Sequence, residues 1–528
     1  MRRRAGIVLC ILFLLFFGII VRIALITVDD SVQAVGSRQG SKTLTIAETR
    51  GTIYDRNLKP LTNAENAYYA TILPEERLLQ RLYAATELAE FQRLSQDVAA
   101  GIPLVAKLTD LIAITDGLRV YMAPKRYSNN TLAAHLIGYL NGANQGVGGI
   151  EAAYNEDLNR YAGHITATFP MNGRGTYLAD DKLLVENTTA HSSGGVVLTL
   201  DSNLQEVVEK VASKHIRKGA VVVLNAQSGD ILASASYPTF HPTTVARELD
   251  TSDGALTNRV LAQFDCGSVF KIVTALAALE SGVPTSKVYE CTGGMTIDTN
   301  TFHCHYRLGH QALNMEEAFA QSCNLYFIQL AADIGADALL AMADKLGLNE
   351  SIHLADPIIA PASVIPTQED LTAPSALANI SFGQGKLLVT PLHIARMTAA
   401  IASGGTLFDT RAVLGTVNEQ QQWTSTDEGG GETVISAYAT KTMQFMMEQV
   451  VQSGTGQSAQ PQSGKAAGKT GTAETGQRDK DRPIVHSWFT GYYPADNPQY
   501  VITVLIEDYQ NNSPNAATVF CEFINNLM

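Results

Sequence analysis

The sequence lacks an excess of basic residues: 38 Lys and Arg stand against 51 Asp and Glu, for a net charge of −13. So acidic a chain repels phosphate backbones, which argues against nucleic acid as a partner, and its charge reads as a solvated surface. Cysteine is scarce, with six in 528 residues, so this is no disulfide scaffold. Charged residues are few, 17% against 45% hydrophobic, a balance that excludes a disordered chain and supports packed cores. No internal repeat is visible. Runs of spanning length are absent with one exception, and the chain is too long for one ordinary core, which implies two or three domains.

The exception is at the N-terminus. Arg2, Arg3 and Arg4 precede a stretch from Ala5 to Thr27 that is apolar except for Arg22. Roughly 20 helical residues cross a bilayer core. Arg22 lies near the far end of the stretch, where its side chain can snorkel to the interface. The positive-inside rule keeps residues 1–4 in the cytoplasm and sends everything after the span outward. A cleaved signal peptide has a shorter apolar region, about 7 to 15 residues, followed by a small-x-small site. Val32-Gln33-Ala34 matches such a site poorly. The sequence therefore predicts an uncleaved single-pass anchor over residues 5–27.

The remainder divides near residue 196. In the 28–195 stretch, residues 75–120 are rich in helix formers. Residues 160–195 read as short strands, with turns at Gly173-Arg174-Gly175 and Gly194-Gly195. From 196 to 528 the pattern predicts an α+β domain. Val196–Leu200 reads as a strand, and Asp201 caps a helix running to about Lys214. Ala220–Leu224 and Ile231–Ser236 read as a hairpin about Ser228-Gly229-Asp230. Helices are predicted at about 268–281, 315–333, 391–403 and 438–453. Strands follow at Ala467–Thr472, His486–Tyr492 and Tyr500–Ile506, then a last helix from about Pro514.

Three short motifs carry chemistry. Ser268-Val269-Phe270-Lys271 opens an apolar helix, where free N–H groups favour developing negative charge. Lys271, three residues on, lies on the same helical face as Ser268. An amine there can take the hydroxyl proton if burial lowers its pKa. Ser322-Cys323-Asn324 places two polar groups inside an apolar stretch, suited to proton relay by Ser322 and amide binding by Asn324. Lys469-Thr470-Gly471-Thr472 puts a cation and two hydroxyls on a strand, suited to a carboxylate, and Gly471 permits close backbone approach. Singly, each motif has an ordinary structural explanation: a capped helix for the first, a helix start or a satisfied core pair for the second, and a turn with a surface Lys for the third. In this order the three form the set found in penicillin-binding proteins and serine β-lactamases.

With these motifs the chain resembles class B penicillin-binding proteins over nearly its whole length. Four further stretches carry the resemblance: Arg50-Gly51-Thr52-Ile53-Tyr54-Asp55-Arg56-Asn57; Gly149-Ile150-Glu151 with Tyr154 and Leu158; Phe382-Gly383-Gln384-Gly385 with Val389-Thr390-Pro391; and His486-Ser487-Trp488-Phe489-Thr490-Gly491-Tyr492. The resemblance implies a penicillin-binding, serine β-lactamase-like transpeptidase domain at 196–528. It also implies an extended N-terminal pedestal module at 28–195, held by the one transmembrane helix. The implied activity is D,D-transpeptidation of peptidoglycan stem peptides ending in D-Ala-D-Ala, with β-lactams as inhibitors. Ser268 would be the nucleophile, Lys271 the base and Ser322 the relay. Asn324, Lys469, Thr470, Gly471 and Thr472 would bind substrate, and the backbone N–H groups of Ser268 and Thr472 would form the oxyanion hole. A SEDS-family glycan polymerase in the membrane would be the partner. No cofactor and no metal in the catalytic site are implied.

Alternatives remain at this level. A D,D-carboxypeptidase would use water in place of the acceptor amine. A class A β-lactamase needs Glu-x-x-x-Asn between the second and third motifs, and no glutamate there has Asn four residues on. A non-catalytic scaffold is opposed by the intact motifs. Cys266 stands two residues before Ser268, where relatives carry Pro, and reads as a packed thiol. Cys291, His303, Cys304, His305 and His310 form a cluster that leaves open a Cys291–Cys304 disulfide, a zinc site or neither.

Overall fold

The computed structural model describes residues 2–28, 40–99, 101, 103–171, 177, 183–249, 253–426, 429–479, 482–510 and 513–527. The segment Val32–Ala34 and the turn expected at Gly173–Gly175 lie outside these residues. The chain forms two compact units. One comprises Met1–Arg50, Ala64–Arg126 and Tyr161–Ser192, the other Gly51–Asn63, Tyr127–Arg160 and Ser193–Met528.

In the first unit, Arg2–Val28 is a single helix of 27 residues. From Gly6 to Leu25 its mean hydropathy is 3.0 and none of it is buried in protein. A helix that is apolar on every side and covered by no other element is suited to lipid. The strand Glu65–Ile72 runs between Leu104–Leu108 and Leu118–Lys125, antiparallel to both. Helices Glu76–Leu82 and Leu88–Ala99 pack on this sheet through Leu78, Leu79, Leu82 and Leu94. The helical expectation for 75–120 therefore fails beyond Ala99. Leu104, Ala106 and Leu108 alternate into the core with a period of two, and this burial pattern overrides helix-forming composition. A second sheet orders Ser41–Thr49, Gly163–Pro170 and Leu184–Asn187.

The second unit is built on a five-stranded antiparallel sheet. Its order is Ile231–Tyr237, Gly219–Asn225, Tyr500–Ile506, Arg482–Tyr493, Ala467–Asp479. Both faces are covered. Ala220, Val222 and Leu224 face a core that includes helices Lys271–Glu280, Pro391–Ala402 and Ala437–Gln452. Val221 and Val223 face the opposite core, with Val208 and Val211 of helix Ser202–His215 and Phe520 and Phe523 of helix Ala516–Leu527. Double burial explains why the inner strands Gly219–Asn225 and Tyr500–Ile506 are nearly continuous apolar runs. The expected cap at Asp201 forms, its Oδ1 accepting from the Asn203 and Leu204 amides, and the structure adds a cap at Thr390 on a helix with Pro391 in its first turn. Thr52–Tyr54, the strand expected around Arg50–Asn57, pairs in parallel with Gly195–Val197.

Two helix boundaries depart from expectation, both at motifs. The α-helix of the first motif runs Lys271–Glu280, and Ser268 lies on a preceding 3-10 turn, Gly267–Phe270. The helix expected over 315–333 is two, Met315–Ala320 and Asn324–Lys345. Between them Ser322 takes a left-handed φ of 52°, which no continuous helix allows. Asn324–Lys345 is apolar and long enough to cross a membrane, yet 44% of it is buried in the protein, as befits a core helix.

Candidate active site

Each motif is delivered by a different element of the second unit. Gly267 makes the first placement possible. Its φ is +56°, and a Cβ there would lie 2.4 Å from the Thr472 carbonyl oxygen. Glycine thus lets the Ser268 turn press against the Lys469–Thr472 strand. Gly471 serves the same contact, since a Cβ there would come within 3.0 Å of the Cys266 carbonyl oxygen. That strand is at the edge of the five-stranded sheet, so one side of its backbone has no neighbouring strand. The left-handed turn at Ser322 brings the second motif alongside.

The amine of Lys271 is the hub. Its Nζ lies 3.0 Å from Ser268 Oγ, 3.2 Å from Ser322 Oγ, 2.7 Å from Asn324 Oδ1 and 2.7 Å from the Ser322 carbonyl oxygen. Lys469 Nζ reaches the same Ser322 Oγ at 3.0 Å and the Thr470 carbonyl oxygen at 3.0 Å. Both lysines are fully buried. Burial lowers the pKa of Lys271 from 10.5 to about 7, against a smaller opposing influence from the Cys323 and Cys304 thiols. Burial also lowers Lys469, and the charge of Lys271 adds to that effect.

These groups form the floor of a cleft of about 960 Å³, lined by Ser268, Ser322, Asn324, Thr470, Gly471 and Thr472 among others. All eight residues that the sequence singled out therefore belong to one site: six line the cleft, and the two lysines lie beneath it. Thr455 was not legible beforehand. Its hydroxyl is 2.7 Å from Thr470 Oγ1 and it lines the cleft. Its signal is the pair of flanking glycines: a Cβ on Gly454 would lie 2.3 Å from the Ala320 carbonyl oxygen. The wall formed by Asn300–His305 was likewise not anticipated. Cys266 is fully buried, and desolvation pushes its thiol pKa up, which keeps it protonated and inert.

The Cys–His cluster contains no Cys291–Cys304 disulfide, and its donor set differs from the one the sequence outlines. All six cysteines are free thiols. Cys291, Cys304 and His310 converge, but their fourth neighbour is Cys323 of the second motif, with all four donor atoms within 4.8 Å of one another. His303 and His305 are exposed instead.

The arrangement can perform acyl transfer: a hydroxyl beside a neutral-leaning amine, a relay hydroxyl, and a second amine with two hydroxyls on an open strand edge. The chain as a whole is similar to known proteins. The family described as the penicillin binding protein transpeptidase domain matches residues 219–525. Stage V sporulation protein D of Bacillus subtilis is 25% identical, covering 98% of this chain and 84% of that protein. Peptidoglycan D,D-transpeptidase PbpA of Mycobacterium tuberculosis is 30% identical, covering 55% of this chain and 62% of that protein. Among solved structures, the D,D-transpeptidase domain of a peptidoglycan glycosyltransferase from Eggerthella lenta superposes with a TM-score of 0.66 at 25% identity, over 91% of this chain and 98% of that one.

Proposed function

Because the chain belongs to the penicillin binding protein transpeptidase domain family, we propose that it is a peptidoglycan D,D-transpeptidase working through an acyl-enzyme on Ser268. The observation that carries this reading is the set of four polar contacts around Lys271 Nζ. A neutral amine has two N–H groups and one lone pair. Asn324 Oδ1 and the Ser322 carbonyl oxygen only accept, each at 2.7 Å, and they take both N–H groups. The lone pair is left for the Ser268 O–H at 3.0 Å.

In the forward reaction Ser268 Oγ attacks the penultimate D-Ala carbonyl of a donor stem as Lys271 takes the proton. The oxyanion is held by the N–H groups of Ser268 and Thr472, a type of contact worth about 3 kcal/mol per donor. Collapse breaks the peptide bond and expels D-Ala, whose nitrogen receives a proton relayed through Ser322. An amine of a second stem then attacks the ester, loses its proton through the same groups and frees Ser268. Lys469, Thr470 and Thr472 hold the terminal carboxylate of the donor, and Asn324 holds a backbone amide. β-Lactams acylate Ser268 in place of the donor.

The apolar N-terminal helix anchors the protein, with residues 1–4 cytoplasmic and the catalytic domain, 196–528, outside the membrane. Residues 28–195 act as a pedestal, and a SEDS-family glycan polymerase is the membrane partner. The test is product analysis with a D-Ala-D-Ala donor and an amine acceptor. Cross-linked dimer formed together with free D-Ala supports the reading; D-Ala with only hydrolysed donor would make the protein a carboxypeptidase.

A further inference from the structure

Acyl transfer makes no use of the four side chains gathered at Cys291, Cys304, His310 and Cys323. Cys304 Sγ is 3.9 Å from Cys323 Sγ, and His310 Nδ1 is 3.5 Å from Cys291 Sγ and 3.4 Å from Cys304 Sγ. Zinc bonded tetrahedrally to sulfur at about 2.3 Å and to nitrogen at about 2.0 Å would hold sulfurs about 3.8 Å apart, and sulfur and nitrogen about 3.5 Å apart. A disulfide requires about 2.05 Å. One ring nitrogen facing two sulfurs is the arrangement of a shared ion rather than of a thiol packed against an imidazole. We propose that these four residues form a structural site for a borderline-soft divalent cation of the zinc class.

The local fold supplies an independent argument. Residues 289–313 contain two ribbons of three or four residues per strand: Tyr289–Cys291 with Gln311–Leu313, and Gly294–Ile297 with Asn300–His303. Their buried apolar residues are Cys291, Phe302, Cys304 and Leu313. Two-stranded ribbons with so little core are marginal alone, and two of these four residues are themselves proposed ligands. The backbone crosses tightly at two glycines: a Cβ on Gly309 would lie 2.2 Å from the Cys291 carbonyl oxygen, and one on Gly293 2.1 Å from the Arg307 carbonyl oxygen. These crossings bring Cys291 beside the Cys304–His310 segment.

The site is closed, with four protein donors of which three are buried, so it holds structure and binds no substrate. On binding, the three thiols coordinate as thiolates and release their protons to solvent, while His310 binds through Nδ1. What the ion holds matters for the cleft. Cys323 is flanked by Ser322 and Asn324, and Asn324 Nδ2 donates to the His303 carbonyl oxygen at 3.0 Å. Asn300–His305 form a wall of the same cleft. The ion therefore ties the second motif and that wall to one point. This coupling rests on the acyl-transfer reading; the binding itself does not.

The experiment uses the full-length protein in detergent, purified under reducing conditions without chelator. Elemental analysis should find stoichiometric zinc, and replacement by cobalt(II) should give thiolate-to-cobalt charge transfer with the intense visible bands of a tetrahedral ion. Cys291→Ser should abolish both signals, and Cys521→Ser, outside the cluster, should keep them. Stripping the wild-type protein with chelator should slow penicillin acylation about tenfold or more, with recovery on adding zinc. Wild-type protein with neither metal nor a cobalt spectrum would overturn the site. So would a Cys304–Cys323 disulfide mapped by thiol alkylation in freshly isolated protein. Stoichiometric zinc whose removal leaves acylation unchanged would overturn the coupling to the cleft. Metal content is read without any acylation, so failure of the catalytic reading cannot be mistaken for failure of the site.

Discussion

Lys271 and Lys469 share one hydroxyl: their Nζ atoms lie 3.2 Å and 3.0 Å from Ser322 Oγ, one delivered by a helix and the other by an edge strand. Two buried ammonium groups that close would repel strongly, so one of them is held neutral. Burial moves Lys271 to about 7, near working pH, which suits a general base. Because the base form is the deprotonated one, acylation should speed up as pH rises through about 7 and then level off. A stopped-flow pH profile checks this; a rate that falls across that interval would contradict the assignment of Lys271 as base.

The same shift predicts a stability slope. Between about 7 and the ordinary lysine value of 10.5, the unfolded chain binds a proton on Lys271 that the folded chain does not. Folding stability from this group therefore rises with pH across that window, by about 1 kcal/mol per pH unit, and does not change below it. Denaturant titrations of wild type and Lys271→Met, compared pH by pH, isolate this contribution from the remaining charges. The variant should lack it.

Ser322→Ala removes the hydroxyl between the two lysines, and with it the proton relay, while Lys271 keeps Ser268, Asn324 and the residue-322 carbonyl as partners. Acylation should fall on the order of tenfold to a hundredfold while penicillin still forms its adduct. Progress curves with a labelled penicillin measure it.

Lys469→Ala should weaken carboxylate-bearing donors and penicillins, while thermal stability holds or rises because a buried amine is gone. Penicillin reactivity equal to wild type would remove Lys469 from the carboxylate site.

Gly267→Ala introduces a Cβ 2.4 Å from the Thr472 carbonyl oxygen at a φ of +56°. Backbone strain alone costs about 1–3 kcal/mol, and the overlap separates Ser268 from the strand. Both melting temperature and acylation rate should drop, the latter more.

Much of this was legible in the sequence because the relevant signals are local. The order of the three motifs, the Asp201 cap and the apolar strands of the sheet interior rest on short-range patterns. What escaped was decided by tertiary contact. Leu104–Leu108 has helix-forming neighbours, but its alternating burial makes it a strand. The break at Ser322 is invisible in an apolar run, since nothing local demands a left-handed residue there. Cys323 was read only as the spacer between Ser322 and Asn324, and its convergence with Cys304 requires the fold. Thr455 is far from any motif in sequence and joins the site through glycine-permitted contacts.

The central claim is that Ser268 forms an acyl-enzyme. Intact mass of the full-length protein after exposure to a labelled penicillin, with Ser268→Ala in parallel, tests it most directly. The account predicts one slowly hydrolysed adduct on the wild type, mapped to Ser268 by peptide analysis and missing from the variant. An adduct that persists in Ser268→Ala, or none on a folded wild-type protein, would contradict it.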